Sequence, residues 1–144
     1  MNLSINIRPE CESDINFIEA TIIEAFKGHP YSHQTEHEIV TKLRNDNALS
    51  VSLVAEINDV LVGHIAFSKV TINGQFSGWY GLAPVSVDPK YQKQGVGTQL
   101  INSGLEAIRE LNAKGCVLLG EPTYYQRFGF IARRELVLKG VPPE

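Results

Sequence analysis

The chain has little cysteine and little net charge. Its 144 residues include two cysteines, and 13 Lys or Arg side chains stand against 16 Asp or Glu, which gives a formal net charge of −3. Cys11 and Cys116 have neither the spacing of metal ligands nor that of a redox pair, so we expect no metal site and no disulfide framework. The slight acidity argues against a nucleic-acid partner, for which a basic surface is expected.

Long apolar runs are also lacking. The sequence contains no stretch of about 18 apolar residues that would suit a membrane span, and no apolar segment typical of a signal peptide near Met1. We therefore expect a cytoplasmic protein with no membrane contact. Linkers, repeats and low-complexity segments are absent too, so the length predicts one domain over residues 1–144 with a single core.

Apolar patterning predicts strands and helices in alternation. A first strand is expected to end at Pro9, and a helical stripe follows over residues 15–26. Thr35 and Glu38 form a capping-box pattern that predicts the start of a second helix. Residues 50–72 then predict a hairpin about Asn58 and Asp59.

The most informative segment lies between a predicted strand at residues 82–87 and a helical pattern that runs to residue 112. It consists of Gln92, Lys93, Gln94, Gly95, Val96, Gly97 and Thr98. Glycines let the main chain approach an anion closely, and the first turn of a helix offers unpaired N–H groups and a positive dipole end. The segment predicts a site for a phosphorylated ligand, although an ordinary glycine-containing β–α turn has the same elements.

The spacing of the glycines narrows the choice of ligand. The Lys-Ser/Thr pair of a P-loop is absent, and the third glycine of a dinucleotide fingerprint is replaced by Leu100. The form Gln/Arg-x-x-Gly-x-Gly at Gln92, Gly95 and Gly97, after residues 87–91, resembles the acetyl-CoA pyrophosphate loop of the GNAT superfamily of N-acetyltransferases.

A second motif, about thirty residues later, supports this resemblance. The pattern Tyr-x-x-x-Gly-Phe at Tyr125, Gly129 and Phe130 is similar to the C-terminal short helix and strand of the superfamily. In that superfamily the tyrosine hydroxyl lies beside the thioester sulfur. The alternative is an aromatic core cluster, and we assign Tyr124, Phe128 and Phe130 to that role and Tyr125 to the site.

The resemblance implies a fold and a mechanism. The fold is an α/β structure with a mixed sheet whose fourth and fifth strands are parallel and flanked by helices. Acetyl-CoA is the implied cosubstrate, and Val85 and Val87 are expected to make main-chain contacts with its pantetheine arm between those strands. A primary amine attacks the thioester directly, the Val87 N–H faces the oxyanion, and Tyr125 protonates the leaving thiolate as general acid. No metal is expected.

The general base and the acceptor stay open. Residues 81–87 offer no carboxylate or histidine, whereas some members of the superfamily have such a base on this strand. Glu121 is the nearest candidate for the base, although it could equally well be an ordinary solvent-exposed carboxylate at the end of a strand. The acceptor pocket is expected from residues 27–37 and 73–80, and small amines, amino-acid derivatives and protein N-termini are all compatible. Four histidines could line it, although a lone histidine is more often structural: His29, His33, His37 and His64.

Two further alternatives complete the expectations. The rival function is a sensor that binds CoA without catalysis, and the intact loop and Tyr125 disfavour it. A generic mononucleotide-binding domain is disfavoured by the missing third glycine and by the motif of Tyr125, Gly129 and Phe130. Only one strand is expected after Gly129, where the superfamily usually has two. The sheet edge could be bare, it could be covered by another subunit, or residues beyond 144 could be absent from this chain. Since an exposed sheet edge is a liability, a homodimer through residues 131–138 is a further prediction.

Overall fold

The computed structural model describes residues 4–28, 32, 34–71, 73–118 and 128. Within them the strands are β1 (Ile5–Pro9), β2 (Leu49–Ile57), β3 (Val60–Lys69), β4 (Trp79–Val87) and β5 (Gly115–Val117), and the α-helices are α1 (Ile15–Phe26), α2 (Glu36–Asn45) and α3 (Val96–Glu110). Short 3₁₀ helices occur at Glu12–Asp14 and Pro89–Tyr91. No helix among these residues is long and apolar enough to cross a membrane.

The described strands form one mixed sheet in the order β1-β2-β3-β4-β5. The first four are antiparallel neighbours, whereas β4 and β5 run parallel, with Trp79 opposite Gly115 and Gly81 opposite Val117. The predicted α/β fold with a parallel β4–β5 pair is therefore confirmed. The β2–β3 hairpin turns at Asn58 and Asp59, whose φ angles of 52° and 64° suit a two-residue type I′ turn.

Helices cover both faces of the sheet. On one face α1 and α2 pack against β2 and β3 through a cluster of Ile18, Ile22, Val40, Val54 and Ala66. On the other face α3 packs against the larger cluster, and a side chain at Gly104 would overlap the Phe67 ring of β3. Helix α3 therefore needs a glycine at this crossing in order to lie so close to the sheet.

The structure corrects two local expectations, agrees with a third and does not describe a fourth. Helix α2 begins where predicted, but the Thr35 side chain makes no capping hydrogen bond; the Glu38 main-chain N–H donates to the Thr35 carbonyl oxygen at 2.9 Å instead. Strand β4 begins at Trp79 and not at Leu82. Cys116 packs half-buried against the core as expected, and burial raises the pKa of its thiol to about 12. The C-terminal strand predicted over residues 131–138 lies outside the described residues.

Candidate active site

The predicted phosphate-binding loop follows directly from the end of β4. After Val87 the chain makes a short 3₁₀ turn at Pro89–Tyr91 and reaches the first turn of α3 at Val96. Lys93 and Gly95 both have positive φ angles, 63° and 89°. A Cβ atom at Gly95 would meet no atom within 4 Å, so the backbone conformation, and not crowding, favours glycine there.

Side-chain hydrogen bonds hold this loop in place. Gln92 Nε2 donates to the main-chain oxygen of Val87 at 3.1 Å, and Gln94 Nε2 donates to the main-chain oxygen of Lys90 at 3.4 Å. The Asp88 carboxylate accepts a hydrogen bond from the Lys90 main-chain N–H at 2.9 Å. The loop is therefore stabilised by hydrogen bonds from its own side chains.

The first turn of α3 has the groups that an anion needs. Val96 is 1% exposed and its side chain lies in the core, so only its main chain is available to a ligand, while Gly97 and Thr98 are half-buried. The Gln99 N–H donates to the Gly95 carbonyl oxygen at 3.0 Å. An α-helix leaves the N–H groups of its first turn without intrahelical acceptors, and its dipole is positive at that end.

Beside this loop, one side of strand β4 is unpaired in the part of the chain that the structure describes, and we call this side the open edge. Its parallel pairing with β5 ends at Gly81 and Val117, whereas β4 continues to Val87. In the described part of the chain no strand pairs with residues 82–87 on that side, while β3 pairs with β4 on the other. Val85 and Val87 are half-buried and pack against the larger core cluster. The loop and the open edge adjoin, so one ligand with a phosphate and an extended arm would reach both.

Comparison with known proteins identifies the family. The sequence profile of the acetyltransferase (GNAT) family matches residues 17–130, which is most of the chain. The chain belongs to the GNAT family. The prediction of an acetyltransferase is thereby confirmed.

Individual relatives agree with this assignment. The N-acetyltransferase YhbS of Escherichia coli is 38% identical over 114 residues, which are 78% of this chain and 68% of that protein. A GNAT family acetyltransferase from Brucella melitensis, crystallised in complex with acetyl-CoA, has a TM-score of 0.88 at 49% identity, over 91% of this chain and 85% of that one. The crystal structure of E. coli YhbS in complex with CoA has a TM-score of 0.83 at 36% identity, over 91% of this chain and 71% of that one.

The predicted catalytic residues of this GNAT domain lie outside the described residues. Tyr125 and Glu121 both fall there, so their roles as general acid and candidate base stay predictions. His29 and His33 also fall there, and His37 lies half-buried on α2. The structure therefore describes the predicted phosphate-binding loop and the open edge, but not the predicted general acid.

His64 lies in an arrangement that sequence reasoning missed. It is fully buried on β3, and its Nε2 atom lies 2.7 Å from Ser52 Oγ on β2. Ser52 Oγ also hydrogen-bonds Oε1 of Glu10, and Glu10 pairs with Arg44 at 2.8 Å. We call Glu10, Ser52 and His64 the polar chain. Burial lowers the pKa of His64 to about 4, so its imidazole is neutral at pH 7.

Two buried polar atoms, one in His64 and one in Ser86 beside it, have no hydrogen-bond partner among the described residues. His64 Nδ1 and Ser86 Oγ make no hydrogen bond to any residue that the structure describes, and His64 and Ser86 lie opposite each other in the β3–β4 register. Buried polar atoms are almost always hydrogen-bonded, so this pair calls for an explanation. The signal in the sequence was a polar residue flanked by apolar residues or glycine in each of three strands, at Ser52, His64 and Ser86.

Proposed function

We propose that this protein is an acetyl-CoA-dependent N-acetyltransferase that moves the acetyl group to a primary amine by direct attack. The observation that carries the proposal is the pre-formed loop at the start of α3, with Gly95 in the left-handed region, next to the open edge of β4. The crystallised relatives in complex with acetyl-CoA and CoA support the same cosubstrate.

The loop would bind the pyrophosphate of acetyl-CoA. The main-chain N–H groups of residues 95–98 and the positive end of the α3 dipole favour the anion, and the exposed Lys90 and Lys93 side chains add positive charge. The Gln92 and Gln94 side chains keep the loop in shape. The pantetheine arm would then lie along β4 and use the main-chain groups of Val85 and Val87.

The reaction itself needs few groups. The amine lone pair attacks the thioester carbonyl carbon, a C–N bond forms, and the Val87 N–H stabilises the oxyanion. The C–S bond then breaks, its electron pair leaves on sulfur, and the thiolate takes a proton from Tyr125, which stays the predicted general acid. The nitrogen gives up one proton to a base, for which Glu121 stays the predicted candidate, and the return of this proton through solvent restores Tyr125. Cys116 is no nucleophile at neutral pH because burial raises the pKa of its thiol to about 12. An acyl-enzyme is therefore not part of the proposal.

Two measurements test the proposal together. Calorimetric titration with acetyl-CoA should show binding, and a thiol-release assay with acetyl-CoA should show turnover with tyramine, spermidine or a hexapeptide that has a free N-terminus. Absence of acetyl-CoA binding would refute the cosubstrate assignment. Binding without thiol release from any amine would favour the alternative, a CoA-binding sensor. A cytoplasmic location and a homodimer are further predictions, and cell fractionation and light scattering respectively test them.

A further inference from the structure

The main-chain groups of Val85 and Val87 point to the open edge of β4. In an antiparallel ladder, the residues of a hydrogen-bonded pair direct their N–H and C=O groups to the partner strand, and the residues of the next pair direct theirs to the other side. The Asp88 N–H donates to the Val62 carbonyl oxygen on β3 at 2.8 Å. The next pair along the ladder is Val87 opposite Gly63. Val87, and Val85 two residues before it, therefore face away from β3.

The Gln92 side chain occupies one of these outward groups. Its Nε2 atom donates to the Val87 carbonyl oxygen at 3.1 Å from an exposed position at the start of the phosphate-binding loop. The peptide unit between Val87 and Asp88 is therefore held on both sides, because its N–H bonds to β3 and its C=O bonds to Gln92. Of the two main-chain groups of Val87, the N–H is the one that stays available to a cosubstrate.

Other hydrogen bonds near the loop stay within the turn itself. The Lys90 N–H donates to the Asp88 carboxylate at 2.9 Å, and the Tyr91 N–H donates to the Asp88 carbonyl oxygen at 2.8 Å. The Gln94 side chain donates to the Lys90 carbonyl oxygen at 3.4 Å. These bonds shape the turn but do not reach β4. The hydrogen bond of Gln92, in contrast, crosses from the loop to the strand.

We propose that Gln92 is a positioning residue, which holds the phosphate-binding loop and the open edge of β4 at the spacing that acetyl-CoA needs. This role rests on the proposed function, in which the pyrophosphate binds at the loop and the pantetheine arm binds along the edge. One molecule gains from both contacts only when the two parts of the site are held at matching spacing. Gln92 acts through the Val87 peptide unit and does not itself contact the cosubstrate.

The chemistry of the glutamine side chain suits this role. Its carboxamide N–H₂ group is a neutral donor, so it can bond the Val87 carbonyl oxygen without placing a charge beside the anion. Methionine has a similar length but no donor, and arginine, which the motif also allows at this position, has N–H donors. Because the Gln92 side chain is exposed, we expect its hydrogen bond to matter for the spacing of the site more than for the stability of the fold.

Three ligands separate the spacing of the site from the shape of the loop. Acetyl-CoA spans both parts, ADP presents a pyrophosphate without the arm, and S-acetylpantetheine presents the arm without a phosphate. Calorimetry gives the Kd of acetyl-CoA directly and the Kd of each fragment by competition. Gln92→Met should raise the Kd of acetyl-CoA about tenfold, as expected for one lost hydrogen bond. The Kd of each fragment should stay within about twofold of wild type, because a fragment binds one part of the site and does not depend on the spacing.

Two further variants serve as controls. Gln99→Met makes the same substitution at an exposed side chain of α3 outside the loop, and it should leave all three dissociation constants unchanged. Gln92→Arg retains N–H donors and should restore the ratio of the acetyl-CoA and ADP affinities to within about threefold of wild type. The ratio is compared, and not a single affinity, because the added positive charge acts on the phosphates of both ligands.

Each outcome has a defined meaning. An equal loss of acetyl-CoA and ADP affinity in Gln92→Met would overturn the inference, because the side chain would then only support the loop. A Gln92→Arg ratio as low as that of Gln92→Met would overturn the donor role, and a fragment that does not compete in the wild type would overturn the independent binding that the spacing requires. If the wild type does not bind acetyl-CoA, the proposed function itself fails. Wild-type binding with a Gln92→Met variant that matches Gln99→Met refutes this inference alone.

Discussion

Mild acid should destabilise this protein through His64 before its carboxylates titrate. His64 is fully buried, and burial is the main reason why its pKa falls from the ordinary 6.5 to about 4; the Arg44 charge lowers the pKa further, and Glu10 partly opposes it. Between these two values the unfolded chain binds a proton at residue 64 and the folded chain does not. Stability therefore falls as pH falls through this window, and above pH 6.5 the contribution is complete.

The size of the effect follows from the two pKa values. The interval from 6.5 to about 4, at about 1.4 kcal/mol for each pH unit, corresponds to about 3 kcal/mol in total. About 2 kcal/mol of this should be lost by pH 5. That is a large part of the stability of a typical domain, which is about 5–15 kcal/mol. Asp14, whose pKa is held well below its usual range by the Arg8 guanidinium, adds its own loss only below about pH 4.

The assay is urea-induced unfolding between pH 7 and pH 5, followed by circular dichroism, for the wild type and for His64→Gln. The glutamine has no proton to bind, so its free energy of unfolding should fall by about 2 kcal/mol less than that of the wild type over this range. The difference between the two proteins cancels the contributions of the groups that both proteins share. Parallel curves for both proteins would show that the folded His64 titrates near its ordinary pKa, and the argument for a neutral imidazole would fail.

Three other predictions concern the cosubstrate site. Gly97→Glu should weaken acetyl-CoA binding more than tenfold in calorimetry, because a carboxylate would then lie in the proposed pyrophosphate loop. Asn102→Glu, on the exposed side of the same helix, is the control and should leave the affinity for acetyl-CoA unchanged. Equal affinities for both variants would refute the loop assignment. Tyr125→Phe should lower kcat about 10²-fold and leave the Kd for acetyl-CoA unchanged. If turnover is undiminished while the chemical step is rate-limiting, a group other than Tyr125 protonates the leaving thiolate. Gly95→Ala should lower the free energy of unfolding by about 1–2 kcal/mol, because φ at this position is 89° and a residue with a Cβ atom is strained there. Asn102→Ala is the control. If Gly95→Ala lowers the free energy of unfolding by less than Asn102→Ala does, the strain at Gly95 is not as large as its φ angle implies.

The features that the sequence predicted well are those that neighbouring residues determine. Asn58 and Asp59 predict a tight turn because both tolerate the left-handed region, and both have positive φ in the structure. The loop of residues 92–98 was predictable for the same reason, since its glycine spacing and the helix behind it are contiguous. The prediction that the Thr35 side chain caps α2 was wrong, because the main chain at Thr35, with φ −120° and ψ 8°, does not adopt the extended geometry of an N-cap residue.

The polar chain could not be predicted because a single irregularity decides which side chains meet. If the two-residue turn were followed by regular pairing, Ser52 would lie opposite Ile65, and His64 would point to the α3 face. The bulge shifts the register, so that Ser52 lies opposite Ala66 and shares a face with His64. Glu10 comes from the residue after β1, 42 positions before Ser52, and its approach depends on the β1–β2 pairing. Local patterns in the sequence indicate neither event.

The two faces of strand β4 differ in what they can offer to the proposed chemistry. Successive side chains of a strand point to opposite faces, so Val85 and Val87 belong to the α3 side, where the predicted phosphate-binding loop begins, while Ser86 belongs to the α1 side, where His64 lies. The proposed pantetheine arm would use the main-chain groups of Val85 and Val87, on the side of β4 where no described strand pairs with residues 82–87. The Ser86 hydroxyl is buried on the α1 side, and residues 81–87 have no ionisable side chain. The proposed reaction therefore needs a base from another element of the fold, which is why Glu121 stays the candidate that the sequence predicts.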